Sequence, residues 1–78
     1  MSREFRFFIY LLERYAVRNG ETADKTLSRI KSHGLFDYAV EMYELYHVED
    51  LENAFADLDR RQGEREQRSS GAGLLEAL

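Results

Sequence analysis

Leu35-Phe36-Asp37-Tyr38-Ala39-Val40-Glu41-Met42-Tyr43-Glu44-Leu45-Tyr46-His47 is the stretch on which the fold turns. On a helix at about 100° per residue, Leu35, Phe36, Tyr38, Ala39, Val40, Met42, Tyr43, Leu45 and Tyr46 fill an arc of roughly 220°. Asp37, Glu41 and Glu44 share the remaining sector. A surface helix of a small domain needs an apolar stripe of only ~100°, so this helix has more than one face to bury. It reads as the central helix of a small bundle, or as a helix with a partner outside the chain.

The neighbouring segments supply the cover. Ser2 is a candidate N-cap for a helix from about Arg3 to Arg18, on which Phe5, Phe8, Ile9, Leu11, Leu12, Tyr15 and Ala16 share an arc of roughly 160°. Phe7, Tyr10 and Val17 fall on its opposite side with Arg14, either as the scattered exposed apolar residues of an ordinary surface or as a second face that meets another protein or a second copy. Asn19-Gly20 offers the left-handed residue that stops a helix. Thr22 then caps a short helix with a narrow stripe of Ala23, Leu27 and Ile30, while Lys25, Arg29 and Lys31 point outward. His33-Gly34 closes it. After the opening stretch, Glu49 or Asp50 begins a fourth helix to about Arg61, with Leu51, Ala54, Phe55 and Leu58 within ~100°. From Gly63 the chain turns polar and Gly/Ser-containing, without an apolar period, and Leu74-Leu75-Glu76-Ala77-Leu78 is too short to fold alone. The expected fold is all-α: a four-helix bundle over residues 1–62 and a disordered tail over residues 63–78.

Composition excludes several functions. The chain has 78 residues, enough for one domain, and an apolar fraction of 44% with five Phe and five Tyr to build its core. It has no cysteine, so neither a disulfide framework nor a thiolate metal site is available. No apolar run approaches the ~18 residues of a membrane span, and Met1-Ser2-Arg3-Glu4 does not read as a signal peptide. The expectation is a soluble cytoplasmic protein.

The net charge of −4 conceals a segregation. Residues 41–59 hold seven acids and no Lys or Arg, whereas residues 1–33 hold seven bases against four acids. The acidic half is either a solvated face or a docking surface for a basic partner.

No catalytic, cofactor or metal site is expected. Glu44-x-x-His47 has the spacing used in carboxylate-bridged metal bundles, but such a site needs a second copy of the pair and two further carboxylates. Tyr43 and His47 are one turn apart and able to touch, yet no Ser or Cys nucleophile is spaced to work with them. His33 reads as a capping residue. Residues 22–46 outline a helix-turn-helix, but its second helix exposes Asp37, Glu41 and Glu44, and electrostatics opposes its docking on DNA. The candidate protein-binding residues are Phe7, Tyr10, Glu41, Glu44, Glu49 and Glu52. The competing reading is a small nucleic-acid-binding regulator using the basic N-terminal half, through Arg14, Arg18, Lys25 and Arg29.

Glu4-Phe5, Glu13-Arg14-Tyr15, Gly34-Leu35-Phe36-Asp37-Tyr38 and Tyr43-Glu44-Leu45-Tyr46-His47-Val48 carry a resemblance to a family of short bacterial proteins, domain of unknown function 3791. The pattern of that family has Tyr-acid-x-Leu-His-Thr in the last segment, and Tyr46 and Val48 depart from its Leu and Thr, as in a divergent member. The resemblance implies no activity and no binding residue. Its genes often lie near predicted ADP-ribosyltransferase-like toxin genes, company that suits a small acidic antitoxin-like partner.

Overall fold

Two Ser/Thr caps and two left-handed glycines punctuate the first half of the chain. The computed structural model describes the backbone of residues 1–77 and the side chains of residues 1–66. Ser2 Oγ accepts the amide of Phe5 at 3.1 Å and opens α1, Arg3–Arg18. Thr22 Oγ1 accepts the amide of Lys25 at 3.2 Å and opens α2, Ala23–Ser32. Each such cap is worth about 1 kcal/mol. Both helices end alike. Glu21 N–H reaches back to Ala16 O, and Leu35 N–H to Ile30 O, each at 3.0 Å, around Gly20 at φ 65° and Gly34 at φ 68°. That is the Schellman arrangement, and its left-handed residue is why glycine stands at both points.

The opening stretch is not one helix. It divides at Met42 (φ −78°, ψ 10°) into α3, Phe36–Glu41, and α4, Tyr43–Tyr46. Neither Gly nor Pro makes the break. The Met42 carbonyl accepts from both Leu45 N–H (3.1 Å) and Tyr46 N–H (2.8 Å), a tightened turn of the kind that interrupts α-geometry. The expected four helices are therefore five, because the third is broken. α5, Leu51–Ala77, is the longest. Asp50 begins it, its side chain accepting Glu52 N–H at 3.1 Å and its carbonyl accepting Asn53 N–H at 3.0 Å.

α5 also passes the expected end at Arg61. Its helical path continues through Gly63, supported by Gln62 bonding back to Leu58 O and by the Arg60–Glu64 pair one turn apart. One glycine costs a helix only about 1 kcal/mol, which such contacts offset. Leu74 and Leu75 lie outside the described side chains, and Leu78 lies outside the described residues.

The core is Phe8, Leu11, Leu12 and Tyr15 of α1, Ile30 of α2, Leu35, Ala39, Tyr46, and Ala54, Phe55 and Leu58 of α5. Most of the α1 face anticipated from sequence is buried, though Phe5 is 37% exposed. The expected centre moves. Leu45, placed in the core arc of the opening stretch, is 47% exposed, and only Ala39 and Tyr46 of α3 and α4 are buried. α1 packs against α2, α3 and α4, and the first half of α5 is tied to all four other helices by side chains: Tyr15 stacks on Phe55, Arg29 bonds Gln62, and Tyr38 and Tyr46 bond Asp57. The second correction concerns Arg29. Expected to point outward, it turns in to bond Glu21 and Gln62, with its guanidinium carbon 5.5 Å from the Tyr15 ring centroid. No strand occurs among the described residues, and no helix among them is long and apolar enough to cross a membrane.

Candidate functional site

Three side-chain clusters hold the chemistry of the chain, and two of them are engaged in holding the helices together. The first is centred on Asp57. Its Oδ2 accepts the hydroxyls of Tyr38 (2.5 Å) and Tyr46 (2.6 Å), and its Oδ1 accepts Arg60 (2.5 Å) and Arg61 (3.3 Å). Burial pushes the Asp57 carboxyl up, but the two phenols, the Arg60 bond and the nearby Arg61 charge outweigh it and hold it below the usual carboxylate range. Arg61 also covers the Tyr38 ring at 4.3 Å.

The second cluster joins α1, α2 and α5. The Tyr15 hydroxyl donates to Asp59 and accepts from Gln62 Nε2 at 3.1 Å, while Arg18 reaches Asp59 at 3.1 Å and Glu52 at 3.5 Å. Arg29 ties Gln62 to Glu21, and Glu21 accepts the Thr26 hydroxyl at 2.9 Å. Among the described residues, every buried polar side-chain atom has a partner. The buried polar atoms of both clusters are therefore satisfied, as suits buried polar networks.

The third cluster lies at the surface. Phe7 of α1 meets Tyr43 edge-on at 5.6 Å and His47 edge-on at 6.5 Å, and Tyr43 and His47 stack at 4.2 Å with their planes 5° apart. On its other side Phe7 lies 6.3 Å from Tyr10, which is 46% exposed and carries the Arg14 guanidinium at 5.7 Å. His47 is oriented by its Nδ1, which stands 2.5 Å from the Tyr43 carbonyl. The result is one aromatic row, Tyr10–Phe7–Tyr43–His47, crossing from α1 to α4. The sequence pairing of Tyr43 with His47, and the second face containing Phe7 and Tyr10, are thus parts of one surface.

The acids proposed for binding divide. Glu41, Glu44 and Glu49 are exposed, and among the described residues they have no ion-pair partner. Glu52 is exposed but pairs with Arg18. Among the described residues no group of three His, Asp or Glu side chains is placed to hold a metal. Glu44 stands one turn before His47, the last ring of the row.

The family described as protein of unknown function (DUF3791) matches residues 6–61. The chain belongs to this family. Its matched segment runs from within α1 to Arg61 and contains the Asp57 cluster whole, together with all four rings of the surface row. Glu4 and Phe5 fall just before it, and Gln62 just after. No curated protein and no solved structure matches the chain. The residues that carry the family resemblance have visible tasks here: Tyr15 and Tyr38 bond Asp59 and Asp57, and Gly34 makes the left-handed turn.

Sequence reasoning missed two polar residues of the core. Thr26 and Gln62 are buried, yet neither lay on an anticipated stripe. Gln62 was findable, since it falls four residues after Leu58 and prolongs the run Leu51, Ala54, Phe55, Leu58 on one helix face.

Proposed function

We propose that this DUF3791 chain is a non-catalytic interaction module that docks a protein on the row Tyr10–Phe7–Tyr43–His47 and the adjoining acids Glu41, Glu44 and Glu49. One observation carries this reading. The aromatic row is a connected set of four rings, anchored on the core by Phe7 and reaching solvent at Tyr10 and His47, whereas the polar clusters elsewhere hold helices together with their buried atoms satisfied. Exposed aromatics with a polar rim are the composition of protein-binding surfaces, where Tyr and other large rings supply most of the affinity. The resemblance adds a candidate partner, a toxin-like enzyme encoded nearby, for which this chain would be an antitoxin-like binder.

The nucleic-acid reading has less support. Of Arg14, Arg18, Lys25 and Arg29, two are committed to carboxylates: Arg18 to Asp59 and Glu52, and Arg29 to Glu21. A bound carboxylate must be displaced before those cations can serve a phosphate.

The test is co-expression with the product of the neighbouring gene, followed by co-purification of the wild type and of Tyr10→Ser and Glu44→Ala. Both altered side chains are exposed, so the variants are expected to fold as the wild type does. The expected result is a complex, or a self-associated form, that either change weakens. If the chain forms neither, or if both variants bind as the wild type does, the reading fails.

A further inference from the structure

The charges beside the aromatic row change sign along it. On the α1 side, Arg3 and Arg14 lie between Phe7 and Tyr10 in helical projection, and Arg6 stands one turn before Tyr10. Glu4 and Glu13 each lie about 60° outside the row, on opposite margins. All three arginines are exposed, and among the described residues none has a carboxylate partner. At the other end, Glu44 stands one turn before His47 and Glu49 follows it. No Lys or Arg occurs anywhere from residue 41 to residue 59.

A surface that is apolar along its length, basic at one end and acidic at the other is complementary to itself. Turned about a two-fold axis, the row lies antiparallel on its own copy, with the basic end of each facing the acidic end of the other. A two-fold interface requires this, because the contact that residue i makes with residue j is repeated as j with i. We infer that the row seats a second copy of this chain, with Arg14 of each copy set against Glu44 of the other and the four rings of each packed between.

Burying the exposed rings of two copies against each other would also remove apolar surface from water, a favourable term independent of the charges. This inference rests on the docking reading and names its occupant. Arg14 and Glu44 are the residues on which it turns, since opposite charges facing across an interface fix its register.

The test is light scattering after size exclusion, with sedimentation velocity across a concentration series, on the full chain and three variants: Arg14→Glu, Glu44→Arg and the double exchange. The wild type is expected to be a dimer that loosens as salt rises. Each single reversal is expected to weaken it by about tenfold or more, by setting like charges face to face, and the double exchange to recover most of that loss. Circular dichroism of each variant separates lost pairing from lost folding. A wild type that stays monomeric up to about 0.5 mM overturns self-pairing. If that monomer still holds the neighbouring gene product, and Tyr10→Ser releases it, the docking reading stands without this one. A dimer indifferent to both single reversals, or one that the double exchange does not restore, overturns the assignment of this face.

Discussion

The hydroxyl of Tyr46 donates to Asp57 Oδ2 at 2.6 Å, joining the short helix α4 to α5 at a point where the Tyr46 side chain is 1% exposed. Tyr38 donates to the same oxygen from α3. One carboxylate therefore fastens both halves of the broken helix to the central one. The cluster explains how helices of six and four residues, too short to persist alone, keep their place.

Removing the Tyr46 hydroxyl tests that joint. Tyr46→Phe preserves the ring and its packing but takes away one charge-assisted bond, so urea unfolding is expected to show a loss of about 1.5–3 kcal/mol. Tyr38→Phe should cost less, because its ring is covered only in part and water can replace the bond. The double variant should cost more than the sum of the two, since either hydroxyl alone still satisfies the shared oxygen and only the loss of both leaves it unmet. Strict additivity would mean that the two bonds do not act through Asp57 together.

Acid should attack the same carboxylate. The Asp57 carboxyl is held below its ordinary value, chiefly by the two phenols and by Arg60 against the opposing effect of burial, and Glu21 is held low by Arg29. A group depressed in the folded state stabilises fully above its unfolded value and loses that contribution as pH falls through the folded one. The stability from these groups is therefore expected to be level above about pH 5 and to fall below it, the unfolded carboxylates titrating near 3.9–4.3. Thermal melts across that range check it. In Asp57→Asn the acid limb should be shallower, because one of the two depressed carboxylates is gone.

Alkali should act on the tyrosines. Burial, reinforced by Asp59 for Tyr15 and by Asp57 for Tyr38 and Tyr46, raises all three phenols above their ordinary value. A raised value means stability that is complete below the unfolded value and lost as pH climbs, so weakening begins above about pH 10. Phenolate absorbance and far-ultraviolet dichroism followed together should show these three ionising only as helix is lost. Ionisation of all five tyrosines ahead of unfolding would contradict the burial of these hydroxyls.

The glycines separate two physical effects. Gly34→Ala places a Cβ in the left-handed region and 3.3 Å from Arg65 Nη1, so it should destabilise by about 1–2 kcal/mol or slightly more. Gly20→Ala carries the same backbone cost with nothing within 4 Å, and should be somewhat milder. Gly63→Ala has open space in the middle of α5, where alanine is the better helix former, and should stabilise by up to about 1 kcal/mol. Denaturant midpoints of the three variants give the order directly.

Much of this architecture was written in local signals. Ser2 and Thr22 cap, Gly20 and Gly34 stop, and the apolar face of α1 packs, because each depends on residues within one or two turns. The break at Met42 left no such mark, since neither Gly nor Pro makes it. The centre of the fold was misassigned to the opening stretch for a related reason. Aromatic residues count as core in a periodicity argument, yet Tyr43 went to the surface row while Tyr15 and Tyr46 were buried with their hydroxyls satisfied. Periodicity does not say which tyrosine will find a carboxylate. The row itself was half legible: Phe7 and Tyr10 stood off the core face, and Tyr43 and His47 one turn apart, but only the packing of α1 against α4 brings the pairs together.

Gln62 provides the sharpest case of a polar residue on an apolar stripe. Its amide donates to the Tyr15 hydroxyl and to Leu58 O, each at 3.1 Å, and its oxygen accepts from Arg29. Gln62→Leu would continue the stripe of Leu51, Ala54, Phe55 and Leu58 and add apolar area. It would also strip a donor from Tyr15 and an acceptor from the half-buried Arg29. An unmet buried polar group costs about 1–3 kcal/mol, whereas the extra methyl groups return roughly 1 kcal/mol at best in a site shaped for an amide. The net expectation is a loss of stability, visible as a lower urea midpoint. Gln62→Glu separates the two sides of the network: it keeps the acceptor for Arg29 and removes the donor to Tyr15, so it should fall between the wild type and Gln62→Leu. A Gln62→Leu chain more stable than the wild type would show that Arg29, with Glu21 as its remaining partner, swings out to water at no cost, and that the network orders the helices without stabilising them.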